Sequence, residues 1–432
     1  MVRSRLADES ISMSGRRVWI TGLGMITPIG HGVDAFWRGA KAARSPVRTI
    51  DRFDPSPFRS RVAAQIDDFD PLDHMEPRTA RQLDRFSQFG LAAGRLAMRD
   101  ARLTPGESGA AAPERIGVYL GSALGGIAYA EEQHERYLAR GIKSVSPTLA
   151  LAVFGGAAPA NIGIDLDVRG PILSTANSCA SGAVALGEAL RAIRDGTIDA
   201  ALAGGVEVPL SPLAFGAFDI IRALSSGTND DPGHAARPFD GKRDGFVMGE
   251  GGALLVLEAA EVAERRGAEP YAELAGYGAT SDAHHMVQPR PDGREAARAI
   301  SLALAEAGVP AGDIDYVNAH ASSTPIGDLA EARALVLALG DRAASVPVSG
   351  TKAMYGHPLG ASSAIEACLC SLAIRHGWAP GTVNLEAPEP EIDALLPGLL
   401  REGRSGTYRR ILSTSFGFGG LNASLVFRAL GT

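Results

Sequence analysis

Cys179 is the side chain in this sequence best suited to act as a nucleophile. It stands in Asn177-Ser178-Cys179-Ala180-Ser181-Gly182, between a strand-like segment, PILSTA (171–176), and a helical pattern from about Ala183 to Arg194. Small neighbours let a strand turn sharply into a helix and leave the sulfur accessible. The positive end of the helix dipole then favours thiolate over thiol, and such settings commonly lower a thiol pKa from about 8.5 by a unit or more. The expectation is a thiolate able to take an acyl group from another thioester, sulfur for sulfur. Most free cysteines are small buried hydrophobes, so this turn alone leaves both readings open. Cys368 and Cys370 lie mid-helix among apolar neighbours and read as core; without histidine or carboxylate partners their CxC spacing is a poor zinc signal.

Two histidines occupy turns of the same kind. His320 lies in Asn318-Ala319-His320-Ala321-Ser322-Ser323-Thr324-Pro325, after the strand-like IDYVNA (314–319) and before a helical pattern from Asp328 to Leu339. His357 lies in Lys352-Ala353-Met354-Tyr355-Gly356-His357-Pro358-Leu359-Gly360, between ASVPVSG (344–350) and the helical ASSAIEACLCSLAI (361–374). One histidine alone reads as structural; two in matched turns beside the cysteine shift the balance. A Cys-His-His set suits a Claisen condensation. Two imidazoles can donate hydrogen bonds to the thioester oxygen of a malonyl unit and stabilise the enolate left by decarboxylation, about 3–4 kcal/mol for each donor. Lys352, one of four lysines, can hold a charge that orders this network against Glu366; a surface lysine is the ordinary alternative.

The elements that must position these groups repeat one plan: strand, polar turn, helix. That alternation predicts an α/β fold with largely parallel sheets. Open α/β sheets gather ligand-binding groups just past the carboxyl ends of their strands, so three such turns can converge on one site. Elsewhere, RRVWITGLGMITPIG (16–30) reads as a strand running into a glycine-rich turn, and RIGVYLGSALGG (115–126) as a buried strand ending in glycines. Apolar spacing through Leu83, Phe86, Phe89, Leu91, Leu96 and Met98 predicts helix over 77–103, and residues 1–15 read as a flexible tail.

Bulk properties exclude several classes. A chain of 432 residues, 45% hydrophobic, can bury a large core in two or three domains. A formal net charge of -7 gives no concentrated basic footprint for nucleic acid. Three cysteines are no disulfide framework and point to a reducing compartment. The polar MVRSRLADESISMSGRR carries no apolar signal core, and no stretch approaches the roughly 20 apolar residues of a membrane span. The expected location is cytoplasmic.

Several motifs in order carry a family likeness. The chain resembles the β-ketoacyl-acyl carrier protein synthases, elongating type II form, of the thiolase-like superfamily, from about Val18 to Phe427. The likeness rests on the cysteine turn, VNAHASSTPIGD, GTKAMYGHPLGAS, SFGFGG (415–420), ARPFDGKRDGFVMGEGG (236–252) and LDRFSQFGLAA (83–93). It implies a thiolase-like α/β fold of two similar halves in a five-layered α/β/α/β/α arrangement. Residues 16–265 would carry the nucleophile, and 266–432 both histidines and a gating loop. The resemblance assigns Cys179 as acyl acceptor, His320 and His357 to decarboxylation and condensation, and Lys352 and Glu366 to their support. Backbone N–H groups of Cys179 and Phe418 would form the oxyanion hole. Phe416, Gly417, Phe418, Gly419 and Gly420 would form the gate, meeting the loop of Asp282. Ser322 and Thr324 would hydrogen-bond the pantetheine arm, and Leu124 would line the acyl pocket. Arg78, Arg81, Lys143 and Arg222 would dock an acidic acyl carrier protein. A homodimer, or a heterodimer with a chain-length-factor-like partner, is implied, with no organic cofactor and no metal.

The chain departs from the family pattern in places. HASSTP stands where HGTSTP is usual, which leaves the loop at Ala321 less free in φ and exchanges Thr for Ser at 322. Leu421 replaces the usual threonine after GFGG, Asn177-Ser178 stands where Thr-Ala is common, and Tyr355-Gly356-His357-Pro358 is unusual. None removes a group the chemistry needs; they leave the choice between fatty-acid and specialised polyketide substrates open.

Rival readings fail on residues. A nicotinamide oxidoreductase would want GxGxxG, which ITGLGMITPIG is not, or a tyrosine followed four residues later by lysine. A degradative thiolase needs a second cysteine near 416–420, and an initiating synthase has asparagine where His357 stands. A non-catalytic chain-length-factor-like subunit lacks the nucleophile that this chain keeps.

Overall fold

Ten strands follow one another across the main sheet of the computed structural model, which describes residues 15–432, and their order is one five-strand pattern used twice. The first half contains β1 (Val18–Thr27), α1 (Arg85–Ala101), β2 (Ile116–Gly121), α2 (Ile127–Arg140), α3 (Ala157–Leu166), β3 (Ile172–Thr175), α4 (Ser181–Arg194), β4 (Ala200–Glu207) and β5 (Gly251–Ala259). The second contains β6 (Ala272–Ser281), α5 (Arg294–Ala307), β7 (Tyr316–Ala319), α6 (Pro325–Leu339), β8 (Val348–Gly350), α7 (Ser362–His376), β9 (Arg410–Gly417) and β10 (Leu421–Arg428). The first half orders its strands β3-β2-β4-β5-β1 and the second β8-β7-β9-β10-β6; β1 and β6 join the two through Trp19–Glu273 and Ile20–Ala272.

The sheet is mixed, where the strand–helix alternation predicted largely parallel pairing. In each half the two pairings that flank β2 or β7 are parallel, while those of β5 and β10 are antiparallel. In the second half the reason is the return connection: β9 reaches β10 through a tight turn with Gly419 and Gly420 at positive φ, not through a crossover helix; in the first half β4 reaches β5 through the long segment 208–250.

Helices α4 and α7 lie between the two five-strand halves of the sheet and touch each other; α1 and α3 cover one outer face, and α5 with α6 the other. These are the five layers. Close packing of the outer helices is written in glycines. A Cβ on Gly22 or Gly24 of β1 would collide with the carbonyl oxygens of Ala97 and Ala93 on α1, and one on Gly276 or Gly278 of β6 with those of Ala303 and Ala299 on α5. The glycine-rich run after Ile20 is therefore strand interior and not a ligand-cradling turn.

The helix expected over 77–103 is broken. Pro77–Gln82 forms one short helix, Leu83 is extended, and Asp84 caps α1 by accepting from the Ser87 N–H at 3.1 Å. Helix α6 begins at Pro325, earlier than Asp328, because Thr324 caps it through the Gly327 N–H. The tail expected at 1–15 lies outside the described residues apart from Gly15. Among the described residues no helix is long and apolar enough to cross a membrane.

Candidate active site

The turns after β3, β7 and β8 meet where the two halves face each other. Cys179 sits in a short 3₁₀ turn, Ser178–Ala180, with Ser178 at φ 53. Ser181 braces the turn, accepting from the Asn177 N–H at 2.8 Å and donating to the Ser178 carbonyl at 2.7 Å. The sulfur lies 3.1 Å from Nε2 of His357, and the His320 and His357 rings stand edge to face with centroids 5.4 Å apart. Sulfur and one nitrogen of each ring all fall within 4.8 Å of one another. The three groups come from turns up to 178 residues apart in sequence.

Each imidazole is aimed by its own partners. Nδ1 of His357 lies 2.7 Å from Ser362 Oγ at the start of α7. His320 is held through its backbone: its N–H donates to Glu331 Oε1 at 2.8 Å and Thr414 Oγ1 at 3.1 Å, and the next N–H, of Ala321, to Glu331 Oε2 at 2.7 Å. The His320 carbonyl accepts from Lys352 Nζ, which also pairs with Glu366. The Lys352 side chain is 2% exposed, so it is no surface lysine.

The electrostatics correct the expected thiolate. Cys179 is 6% exposed, in an apolar cluster with Phe215, Phe246 and Leu359, and burial pushes its thiol up to about 11. The Ser178 hydroxyl, the Lys352 charge and the Phe418 N–H pull the other way without overcoming that loss of hydration. Burial, then the Lys352 charge, also hold both imidazoles well below the usual histidine range, so both are neutral rings. A neutral imidazole 3.1 Å from a neutral thiol can take its proton as the sulfur attacks, and a neutral ring can also donate an N–H.

The turn between β9 and β10 closes over the sulfur. Phe416 lies edge-on to His320 at 6.2 Å, a Cβ on Gly417 would stand 3.0 Å from the Cys179 nitrogen, and the Phe418 N–H faces the sulfur. Gly419 donates to the Met286 carbonyl at 2.7 Å, and Gly420 accepts from the Asp282 N–H at 2.8 Å. The Asp282 carboxylate ties the same loop to Asn422 at 2.7 Å and to the Arg290 N–H at 2.9 Å.

A cavity of about 350 Å³ opens onto these groups. Ser322 and Thr324 line it with their hydroxyls 3.0 Å apart, and exposed Arg222 stands on its lining. Leu124 packs in the same apolar cluster as Cys179. Arg78, Arg81 and Lys143 are exposed and do not line the cavity. Ala321 takes φ 38, and Gly350 makes room for it: a Cβ there would lie 2.5 Å from the Ala321 Cβ. Sequence reasoning missed Ser362, Glu331, Thr414 and Glu207. Thr414 and Glu207 make their contacts across 94 and 85 residues, and Ser362 and Glu331, 5 and 11 residues from the histidines they touch, carry no spacing that marks them. Cys179, His320 and His357 also form the one cluster close enough, among the described residues, to hold a metal ion, although the Lys352 ammonium nearby opposes a further cation.

Family models match most of the chain: "Beta-ketoacyl synthase, N-terminal domain" over residues 15–263 and "Beta-ketoacyl synthase, C-terminal domain" over 271–386. A 3-oxoacyl-[acyl-carrier-protein] synthase 2 of Synechocystis sp. is 41% identical over 418 residues, covering 96% of this chain and 99% of the relative. One of Staphylococcus aureus is 40% identical over 413 residues, covering 96% and 98%. Among solved structures, the ishigamide ketosynthase/chain length factor has a TM-score of 0.89 at 34% identity, covering 97% of this chain and 100% of the matched one. A type II polyketide synthase acyl-carrier protein in complex with its ketosynthase bound to the hexaketide gives 0.89 at 33%, covering 96% and 100%.

Proposed function

The chain belongs to the β-ketoacyl synthase family, and from that premise we propose that it catalyses decarboxylative Claisen condensation of an acyl thioester with malonyl-acyl carrier protein. The carrying observation is the sulfur, 3.1 Å from one imidazole and beside a second, in a cavity also lined by Phe416, Gly417 and Phe418.

In the first half-reaction the Cys179 sulfur attacks the acyl thioester as His357 takes its proton. The N–H groups of Cys179 and Phe418 hold the developing oxyanion, and the carrier's pantetheine thiol leaves with the proton. In the second, the malonyl thioester oxygen accepts N–H bonds from His320 and His357. Its carboxylate departs as CO2, and the carbanion attacks the acyl-cysteine and expels the sulfur. The product is a β-ketoacyl chain two carbons longer, still on the carrier. Lys352 and Glu366 brace the His320 turn, and Phe416 to Gly420, seated on Asp282, gate access. Ser322 and Thr324 bind the pantetheine arm, and Leu124 bounds the acyl chain. The rim of Arg222, with Arg78, Arg81 and Lys143, attracts an acidic carrier. The reaction needs no organic cofactor, and its setting is the cytoplasm. Residues 16–265 and 266–432 are the two units.

The active assembly is a dimer. Its support is the sheet edge at β3, unpaired among the described residues, where Ile172 and Leu173 are 45% and 41% exposed. A second reading, the catalytic half of a heterodimer with a chain-length-factor-like partner, is favoured by the likeness to the ishigamide ketosynthase/chain length factor. The test is to supply acyl- and malonyl-carrier protein and identify products by mass. A β-ketoacyl carrier two carbons longer is expected, together with loss of protein acylation in Cys179→Ala; acylation surviving in that variant would contradict the assignment.

A further inference from the structure

Glu207, the last residue of β4, is wholly buried and forms no ion pair among the described residues. It lies at the seam between the halves, and the chemistry above does not use it. Its carboxylate accepts four hydrogen bonds. Three come from the loop after β2: Ser122 Oγ at 2.9 Å, the Ala123 N–H at 2.6 Å and the Leu124 N–H at 3.0 Å. The fourth comes from the other half, from the Gly360 N–H at 3.0 Å, three residues beyond His357.

A carboxylate has about four acceptor sites, and all four are occupied here. The group is therefore neither a free base nor a substrate ligand. A buried carboxyl group held only by neutral donors is a costly way to close a loop, and what it supplies is acceptors for four donors in one place. The two segments it joins deliver the two leucines that pack with the sulfur, Leu124 and Leu359. Glycines let the two segments approach closely here. A Cβ on Gly360 would stand 2.6 Å from the Ala123 nitrogen and 2.8 Å from Glu207 Oε2, and one on Gly205 would stand 2.6 Å from the Gly360 carbonyl oxygen. With glycine on both sides, the Glu207 carboxylate is the one side chain that, among the described residues, hydrogen-bonds both the Leu124 loop and Gly360.

We infer that Glu207 is a positioning residue that sets the gap between the Leu124 loop and the His357 turn, and thereby the width of the acyl channel at the sulfur. This rests on the proposed function, because a channel wall matters only if Cys179 carries acyl chains. Widening the gap changes which acyl chains fit while leaving the sulfur and its imidazoles in place. Glu207→Gln replaces one acceptor oxygen with an N–H group facing donors, which breaks the clamp at constant size. Ser122→Ala removes one of the four donors and leaves the carboxylate.

The experiment measures acylation of Cys179 by intact mass with carrier-bound acyl chains of graded length, beside alkylation of Cys179 by iodoacetamide. Wild-type acylation is the control: its absence overturns the functional reading and not this one. With wild type active, Glu207→Gln is expected to change the ratio of long-chain to short-chain kcat/KM by roughly fivefold, the scale of one net hydrogen bond. Ser122→Ala is expected to change it less, in the same direction. Alkylation by the small iodoacetamide persists in both variants. An unchanged chain-length ratio in Glu207→Gln overturns the inference. If that variant does not fold, Ser122→Ala decides by the same criterion. Loss of acylation and alkylation together in a folded variant also overturns it, because the sulfur itself would then have moved.

Discussion

The two halves run the same strands and helices in the same order, yet they meet the site with different chemistry. After the third strand of each half comes a turn into a central helix: in the first half it carries Cys179, in the second His357. After the second strand of each, a loop is clamped by a buried glutamate. Glu207 grips Ser122 to Leu124, and Glu331 grips His320 and Ala321. One scaffold therefore offers matched positions, which are filled by a sulfur with an apolar wall on one side and by two imidazoles with a buried cation on the other. The outer edges also differ. Strand β8 is covered by the chain's own Gly398–Leu400 segment, through hydrogen bonds of 3.1 and 2.8 Å, while β3 has no such cover among the described residues. Topology sets where groups sit; the turn sequences set what they do.

The sharpest way to separate the halves is their charge. Among the described residues only the second clamps its site with an ion pair, so Lys352→Met strands Glu366 in the core and should cost about 3–5 kcal/mol in chemical unfolding. A cost near zero would mean the pair is not the support described. Next comes the repeat itself. Gly22→Ala and Gly276→Ala force the same collision on opposite faces and should each cost about 1–3 kcal/mol. A large cost in one and none in the other would break the equivalence of β1 and β6.

The clamps predict a pH effect of moderate size. Burial raises Glu207 and Glu331 from 4.5 to about 7, so the folded state binds more protons than the unfolded one between those values. Their contribution to stability is complete below pH 4.5 and is lost as pH rises to about 7. Glu207→Gln and Glu331→Gln should therefore each flatten the fall in Tm across that window relative to wild type; an unaltered slope would refute the assignment. The smallest effect is expected at Ala321→Gly. It relieves a left-handed alanine and should change stability by about 1 kcal/mol or less, in the stabilising direction.

Much of this was legible in the sequence because strand–turn–helix units are local. The segments 171–194, 314–339 and 344–374 read correctly as such units, and the turns they predict do converge. The motifs also marked Lys352 with Glu366, which the fold joins. What was not legible depends on distance along the chain. The thiol's environment is made by Phe215, Phe246 and Leu359 from three other segments, so helix-terminus reasoning gave the wrong direction for its pKa. Antiparallel returns at β5 and β10 escaped because a strand's sequence does not state its direction. Glu207 escaped because the N–H groups it binds lie at least 83 residues away, and Glu331 because a mid-helix glutamate 10 and 11 residues from its partners looks like any other helical glutamate.

The central claim is that sulfur and imidazoles from opposite halves divide the work, acyl acceptance on one side and enolate stabilisation on the other. The most direct test is CO2 release from malonyl-acyl carrier protein by His320→Ala and His357→Ala, with protein acylation followed in parallel. Decarboxylation is expected to fall by roughly 10²–10³-fold in each, the loss typical of one oxyanion donor, while Cys179 is still acylated in His320→Ala. Decarboxylation at wild-type rates in both variants would contradict it.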